Sequence, residues 1–170
     1  MVGLLEDVRL TVPTGFTPGQ AIVILGDPPQ RLGSSEYQPD NPDFPRFDLE
    51  SERRLTALLR ELAARRLLRS AQDVANGGLA MALAECALLG DCGCTVRLEH
   101  QILEVALFSE DQGRAVVSCS PSVVDDVLRH ASAHCVAASV VGGTRGDRFI
   151  VEGAIDLGLT QVRRAWEPEP

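Results

Sequence analysis

An α+β fold, an α/β sandwich in which helices cover a mixed β-sheet, is what the sequence predicts, and three observations predict it. Short continuous apolar runs, of which Ala21-Ile22-Val23-Ile24-Leu25 is the clearest, have the length and bounding residues of buried strands. Longer stretches carry Leu, Val and Ala at helical spacing. The order that results is strand, long helix, helix, strand, strand, helix, strand, strand, which is not the strict alternation of a parallel α/β sheet. Hydrophobic residues make up 45% of the 170, enough for a core, and aromatics only 4%, so aliphatic side chains must fill it.

The first strand ends at Gly26-Asp27-Pro28-Pro29. Residues 4–10 form a candidate strand before it, with Thr14-Gly15-Phe16-Thr17-Pro18-Gly19 as the turn between them. Residues 27–47 are rich in Pro, Gly, Ser and Asp and lack periodicity, a loop long enough to be functional or mobile. A helix is predicted over 49–69: Asp48 is its N-cap, Glu50 and Glu52 complement the dipole, and Leu55, Leu58, Leu59 and Leu62 form one stripe. Arg53, Arg54, Arg60, Arg65 and Arg66 are its wet side. A second helix starts near Gly77 with Asn76 as cap, buries Leu79, Leu83, Cys86 and Ala87, and stops at Gly90. Strands are predicted over 94–98 and 114–119. Ser120-Pro121 opens a third helix with Val124, Val127, Leu128 and Ala131 inward. Residues 136–141 and 148–151 read as a hairpin around Gly142-Gly143-Thr144-Arg145-Gly146, residues 159–166 as a short last helix, and 167–170 as a tail.

Composition excludes several chemistries. All 16 basic residues are Arg, so neither a Schiff-base lysine nor a P-loop lysine exists here. Any phosphate must be held by Arg, by backbone N–H groups or by a metal. A net charge of −8 argues against a nucleic-acid-binding surface. No apolar run approaches the roughly 20 residues of a membrane span, and the acidic start Glu6-Asp7 does not read as a targeting segment. Five cysteines, an odd number without a disulfide ladder, suit a reducing, cytoplasmic setting. Cys92-Gly93-Cys94 is too lone a pair for zinc, and His130 and His134, four apart, have no evident third ligand, so no metal site is expected. No Ser-His-Asp arrangement is visible around Ser109 or Ser118.

Three segments concentrate polar chemistry. In Ser70-Ala71-Gln72-Asp73-Val74-Ala75-Asn76-Gly77-Gly78-Leu79, two glycines at a helix start leave free N–H groups that suit an anion, with Asp73 able to orient a ligand or hold a metal. The same residues also suit a plain tight turn into a helix. In Phe108-Ser109-Glu110-Asp111-Gln112-Gly113-Arg114, residues Glu110, Gln112 and Arg114 share one face if extended, which fits a polar ligand, an inter-domain seam or a charged loop. Gly33-Ser34-Ser35-Glu36-Tyr37 holds the sole Tyr in a segment that either wraps a ligand or turns.

These three segments, together with Val2-Gly3-Leu4-Leu5-Glu6-Asp7-Val8, Ile24-Leu25-Gly26 and Ala84-Glu85-Cys86, occur in an order that resembles the C-terminal domain of phosphoribosylformylglycinamidine synthases, the last domain of the synthetase subunit. The wider superfamily includes aminoimidazole ribonucleotide synthetase, selenophosphate synthetase, thiamine-monophosphate kinase and a hydrogenase maturation protein. The resemblance spans about residues 3–166. It implies a single domain over 1–166, excised or separately encoded from a longer subunit, in a purine-biosynthetic ligase that converts formylglycinamide ribonucleotide to the amidine with ATP and glutamine-derived ammonia. It implies ATP and Mg2+ in the full enzyme, with none bound tightly by this domain alone. The partners it implies are the remaining synthetase domains, a glutaminase subunit or domain, and small phosphorylated metabolites. Asp73, Gly77, Gly78, Glu110, Gln112, Arg114, Ser35 and Glu36 become candidates for lining a ligand, and none of them is assigned a catalytic role. The family usually carries His, Ser and Asp where this sequence has Gln72, Ala75 and Asn76, which leaves open a domain that has kept the fold as a non-catalytic binding or assembly module.

Overall fold

Side-chain alternation along the strands divides the molecule into layers. The computed structural model describes residues 7–45, 47–99 and 101–167. Its strands are β1 (Ala21–Leu25), β2 (Ser70–Asp73), β3 (Cys94–Val96), β4 (Ala115–Cys119), β5 (Ala138–Thr144), β6 (Arg148–Val151) and β7 (Ile155–Gly158). Its helices are α1 (Leu49–Ala64), α2 (Gly78–Gly90), α3 (Leu103–Phe108), α4 (Val124–Ala133) and α5 (Leu159–Trp166). The strands form one sheet in the order β2-β4-β1-β5-β3-β6-β7. Every neighbouring pair is antiparallel except β3 and β6, so the sheet is mixed as the sequence predicts.

On one face Val23, Leu25, Ala115, Val117 and Cys119 pack with Leu55, Leu58 and Leu62 of α1 and with Val127 and Ala131 of α4. On the other, Ile22, Val96, Val116, Val141 and Phe149 pack with Leu79 and Leu83 of α2, Leu107 of α3 and Val162 of α5. Because strand side chains alternate faces, a run such as Ile22-Val23-Ile24-Leu25 contributes to both cores, which is why it is apolar throughout.

Four expectations need correction. The helix predicted over 49–69 stops at Ala64, and residues 70–73 are strand β2. The stop is a Schellman turn, with Leu67 N–H donating to Leu62 C=O at 3.0 Å and Arg66 N–H to Ala63 C=O at 2.9 Å, and Arg66 takes φ 57°. An arginine fills the position where glycine is the usual signal, and Leu67 and Leu68 continue the apolar pattern past it. The second correction concerns the hairpin. Strands β5 and β6 do not pair, because β3 lies between them, antiparallel to β5 and parallel to β6. Gly142 and Gly143 belong to β5, where a Cβ on Gly142 would stand 2.0 Å from the carbonyl oxygen of Thr95. The glycine marks a close approach of β3, not a turn. Third, α3, β2 and β7 were absent from the predicted order; each is short, and β2 and β7 are the sheet's edges. Fourth, residues 8–10 form a 3-10 turn where a strand was expected, and residues 4–6 of that segment lie outside the described residues. The tail at 168–170 also lies outside them.

The ends of other elements follow the sequence closely. Asp48 Oδ1 accepts from Glu50 N–H at 2.9 Å and Ser51 N–H at 3.3 Å, capping α1. The third helix opens with a 3-10 turn at Pro121–Val123. The last helix covers the predicted 159–166.

Candidate functional site

Where β2 ends beside the start of β4, the sheet opens into a groove of about 560 Å3. Asp73 stands opposite Ala115 in the β2–β4 ladder, and Val74 N–H extends the ladder with a 3.1 Å bond to Arg114 C=O. That register brings the segment after β2 against the segment before β4. Asp73, Glu110, Gln112 and Arg114 therefore line a single groove, with Glu52 and Thr56 of α1 on its opposite wall.

The start of α2 is organised differently from its sequence expectation. Asn76 does not cap it. Gly77 occupies the N-cap position with φ 76°, and its N–H donates to Glu110 Oε1 at 2.8 Å. The same oxygen accepts from Glu36 N–H at 3.0 Å. The anion at this helix start is thus the protein's own carboxylate, placed where free N–H groups and the helix dipole favour negative charge. Gly78, with φ 68°, is buried under α3; a Cβ there would lie 2.6 Å from Leu107 C=O. Gly78 serves this crossing of α2 and α3, whereas a Cβ on Gly77 would meet Met81 of α2 itself at 2.9 Å.

The neighbouring carboxylate works on the same loop. Asp111 Oδ2 accepts from Gln30 N–H at 2.8 Å and Arg31 N–H at 3.2 Å. Two consecutive acids therefore hold the long 27–47 loop by its backbone. Ser35, 2% exposed, faces the inside of that loop, donating from Oγ to Leu32 C=O at 2.5 Å and accepting from Gln38 N–H at 3.2 Å. Glu36 and Gly77 line a separate, mostly apolar groove of about 450 Å3 with Tyr37, Met81, Phe108 and Trp166. There the Tyr37 ring stacks on Phe108 with centroids 4.7 Å apart. Of the eight candidates, four share the polar groove, two face the apolar one, and Ser35 and Gly78 line neither.

Electrostatics sharpen the picture. Arg114 is 4% exposed, and burial lowers its guanidinium to about 10, with the charge of Asp111 opposing the shift. Its Nη1 donates to Ser109 C=O at 3.3 Å. Gln72 points to the α2 side and donates from Nε2 to Glu85 Oε2 at 2.8 Å. Burial, then the charge of Asp73, raises the Glu85 carboxyl above its usual range.

Sequence reasoning missed Glu52 and Thr56, which sit on the face of α1 read as solvated; only the β2–β4 pairing reveals that this face overlooks the groove. It also missed the partner of the histidine pair. Glu61 of α1 meets His134 Nε2 at 2.6 Å and His130 Nδ1 at 3.3 Å, while Arg65 Nε donates to Glu61 at 2.8 Å. This is a hydrogen-bonded clasp between α1 and α4, and no group of metal-ligating side chains able to hold an ion occurs among the described residues. The cysteines are all free; burial pushes the Cys86 and Cys94 thiols up to about 12. No helix among the described residues is long and apolar enough to cross a membrane.

Comparison with known proteins agrees with this architecture. Residues 17–152 match the model of the family described as AIR synthase related protein, C-terminal domain. Phosphoribosylformylglycinamidine synthase subunit PurL of Caldanaerobacter subterraneus subsp. tengcongensis is 35% identical over 182 residues, covering 98% of this chain and 24% of the relative. The corresponding subunit of Moorella thermoacetica is 36% identical over 177 residues, with 98% and 24% covered. The chain thus spans about a quarter of the length of the curated relatives it matches. Among solved structures, T. maritima PurL complexed with ATP superposes with a TM-score of 0.76 at 23% identity, over 91% of this chain and 27% of that one. PurLQS from Thermotoga maritima gives 0.77 at 23% identity, over 91% and 28%. At that identity the structural likeness speaks for the fold.

Proposed function

Because the chain belongs to the family of AIR synthase related proteins, as their C-terminal domain, we propose that it serves as the C-terminal domain of a phosphoribosylformylglycinamidine synthase. In this reading it is one domain of an ATP-dependent ligase of cytoplasmic purine biosynthesis. The ligase converts formylglycinamide ribonucleotide to the amidine with ammonia released from glutamine. The remaining synthetase domains and a glutaminase are its partners.

The observation that carries the reading is the shared groove: the segments around Asp73 and Glu110, far apart in sequence, open onto one space of about 560 Å3. Asp73 and Gln112 are exposed there and available to a ligand. Glu110 acts as a positioning residue, since its Oε1 is occupied by the Gly77 and Glu36 amides. The groove holds no carboxylate cluster fit for a resident Mg2+, so a divalent ion would have to arrive with phosphate oxygens of a bound nucleotide. The chain's own share of the chemistry is therefore to shape one wall of a cleft that other domains complete. Purified alone and given ATP, Mg2+, substrate and ammonia, it forms no amidine; turnover by this chain would overturn the proposal. ADP or the ribonucleotide raises its melting temperature, and Asp73→Ala or Gln112→Ala diminishes that shift.

A second reading, a degenerate module that assembles without binding, is favoured by Gln72, Ala75 and Asn76 standing where the resemblance calls for His, Ser and Asp. It requires that neither ligand shifts the melting temperature at all.

A further inference from the structure

A buried cation without a full set of partners stands behind a different opening. On the far side of the sheet from α1, a groove of about 430 Å3 lies between β1, β5 and the α2–α3 pair, lined by Gly26, Leu79, Leu98, Ala106, Arg114 and Val141 among others. Arg114 is in phase with Val116, whose side chain packs in the α2-side core, while Ala115 and Val117 pack in the other. Its Cγ passes over Gly26, where a Cβ would come within 3.0 Å of it, which takes the side chain toward this second groove.

The guanidinium is incompletely satisfied. Arg114 is 4% exposed; among the described residues its side chain makes one hydrogen bond, from Nη1 to Ser109 C=O, and its Nε has no partner. An arginine offers five N–H donors in a rigid fork, and leaving them unmet in a buried site is costly. The other charges lining the groove, Asp27, Arg97 and Glu99, are exposed and screened by solvent. Arg114 is the one buried charge among the described residues of the lining, which otherwise mixes apolar side chains with exposed polar ones.

We propose that this second groove is a binding site for a small organic oxyanion, with the carboxylate or phosphate meeting the Arg114 guanidinium and a short apolar body lying against Leu79, Leu98 and Val141. The site is separate from the groove of Asp73 and Gln112, and the two share only Arg114. Burial lowers the guanidinium to about 10, so it stays charged at neutral pH, and an arriving anion relieves the cost of holding that charge in a dry place.

Calorimetry on the full chain tests this with benzoate, phenyl phosphate, inorganic phosphate and the neutral benzyl alcohol. Benzoate or phenyl phosphate binds, and comparing them tells carboxylate from phosphate; inorganic phosphate binds more weakly, and benzyl alcohol does not bind. Arg114→Met weakens the preferred anion by at least about tenfold, the loss of a charge-assisted bidentate contact. Ser139→Tyr, a change at an exposed β5 position on the wall of this groove, fills it and abolishes that binding while leaving any ADP response of the other groove in place. If Arg114→Met does not fold, Ser139→Tyr alone decides. Absence of anion binding, equal binding of benzyl alcohol, or anion binding unchanged in Ser139→Tyr would each overturn the proposal. Loss of ADP binding with the anion site intact would instead count against the function proposed above.

Discussion

Glu110 illustrates how one oxygen can hold three segments together. Its Oε1 joins the 27–47 loop, through Glu36 N–H, to the start of α2, through Gly77 N–H. Glu110→Ala strands two amides that the fold has directed at a carboxylate, and we expect a loss of about 2–4 kcal/mol in urea unfolding. Amide exchange at Gly77 and Glu36 rises in the same variant. Glu61 supplies a pH-dependent contact of another kind. The hydrogen bond from His134 first, then that from Arg65, keeps its carboxyl below the usual range. A carboxylate whose folded pKa is depressed adds stability that is present above its unfolded value, near 4.3, and lost as pH falls through the lower folded value. Glu61→Gln therefore lowers the urea midpoint at pH 7 and converges with the parent in strong acid. The thiols give a simpler readout. Cys135 is exposed and the other four are buried, so one thiol per chain reacts promptly with a disulfide reagent, and the rest react only on unfolding.

At the scale of elements, the structure explains both what the sequence revealed and what it concealed. Helices α1 and α4 declare themselves through apolar periodicity, and helix α2 and strand β1 through apolar runs buried on nearly every side, both of which local sequence reports faithfully. The end of α1 is hidden because Arg66 makes the left-handed turn that glycine normally advertises. Strands β2 and β7 are hidden because an edge strand of four residues needs little apolar surface. The false hairpin arose because Gly142 is required by a neighbour, β3, more than forty residues away in sequence. The site shows the same division. Asp73 and Glu110 were legible as members of two separate polar motifs, but their meeting in one groove, the inward turn of Ser35 and the use of Glu110 as a backbone clamp depend on contacts between distant segments. Arg66→Gly relieves a strained residue, and we expect a gain of about 0.5–1 kcal/mol in urea titration. Gly142→Ala forces β5 away from β3 and costs at least about 2 kcal/mol by the same measurement.

For the molecule as a whole, the sheet shields two cores and presents a polar groove on one side and a mixed groove on the other. Strand β1, interior to the sheet, has a consequence for how the chain is made. Both neighbours of β1, β4 and β5, lie in the second half of the sequence. A ribosome therefore releases Ala21-Ile22-Val23-Ile24-Leu25 long before either of its hydrogen-bonding edges can be covered. During that interval the nascent polypeptide carries an adhesive apolar strand, and its yield in cells should depend on chaperone supply more than its final stability would suggest.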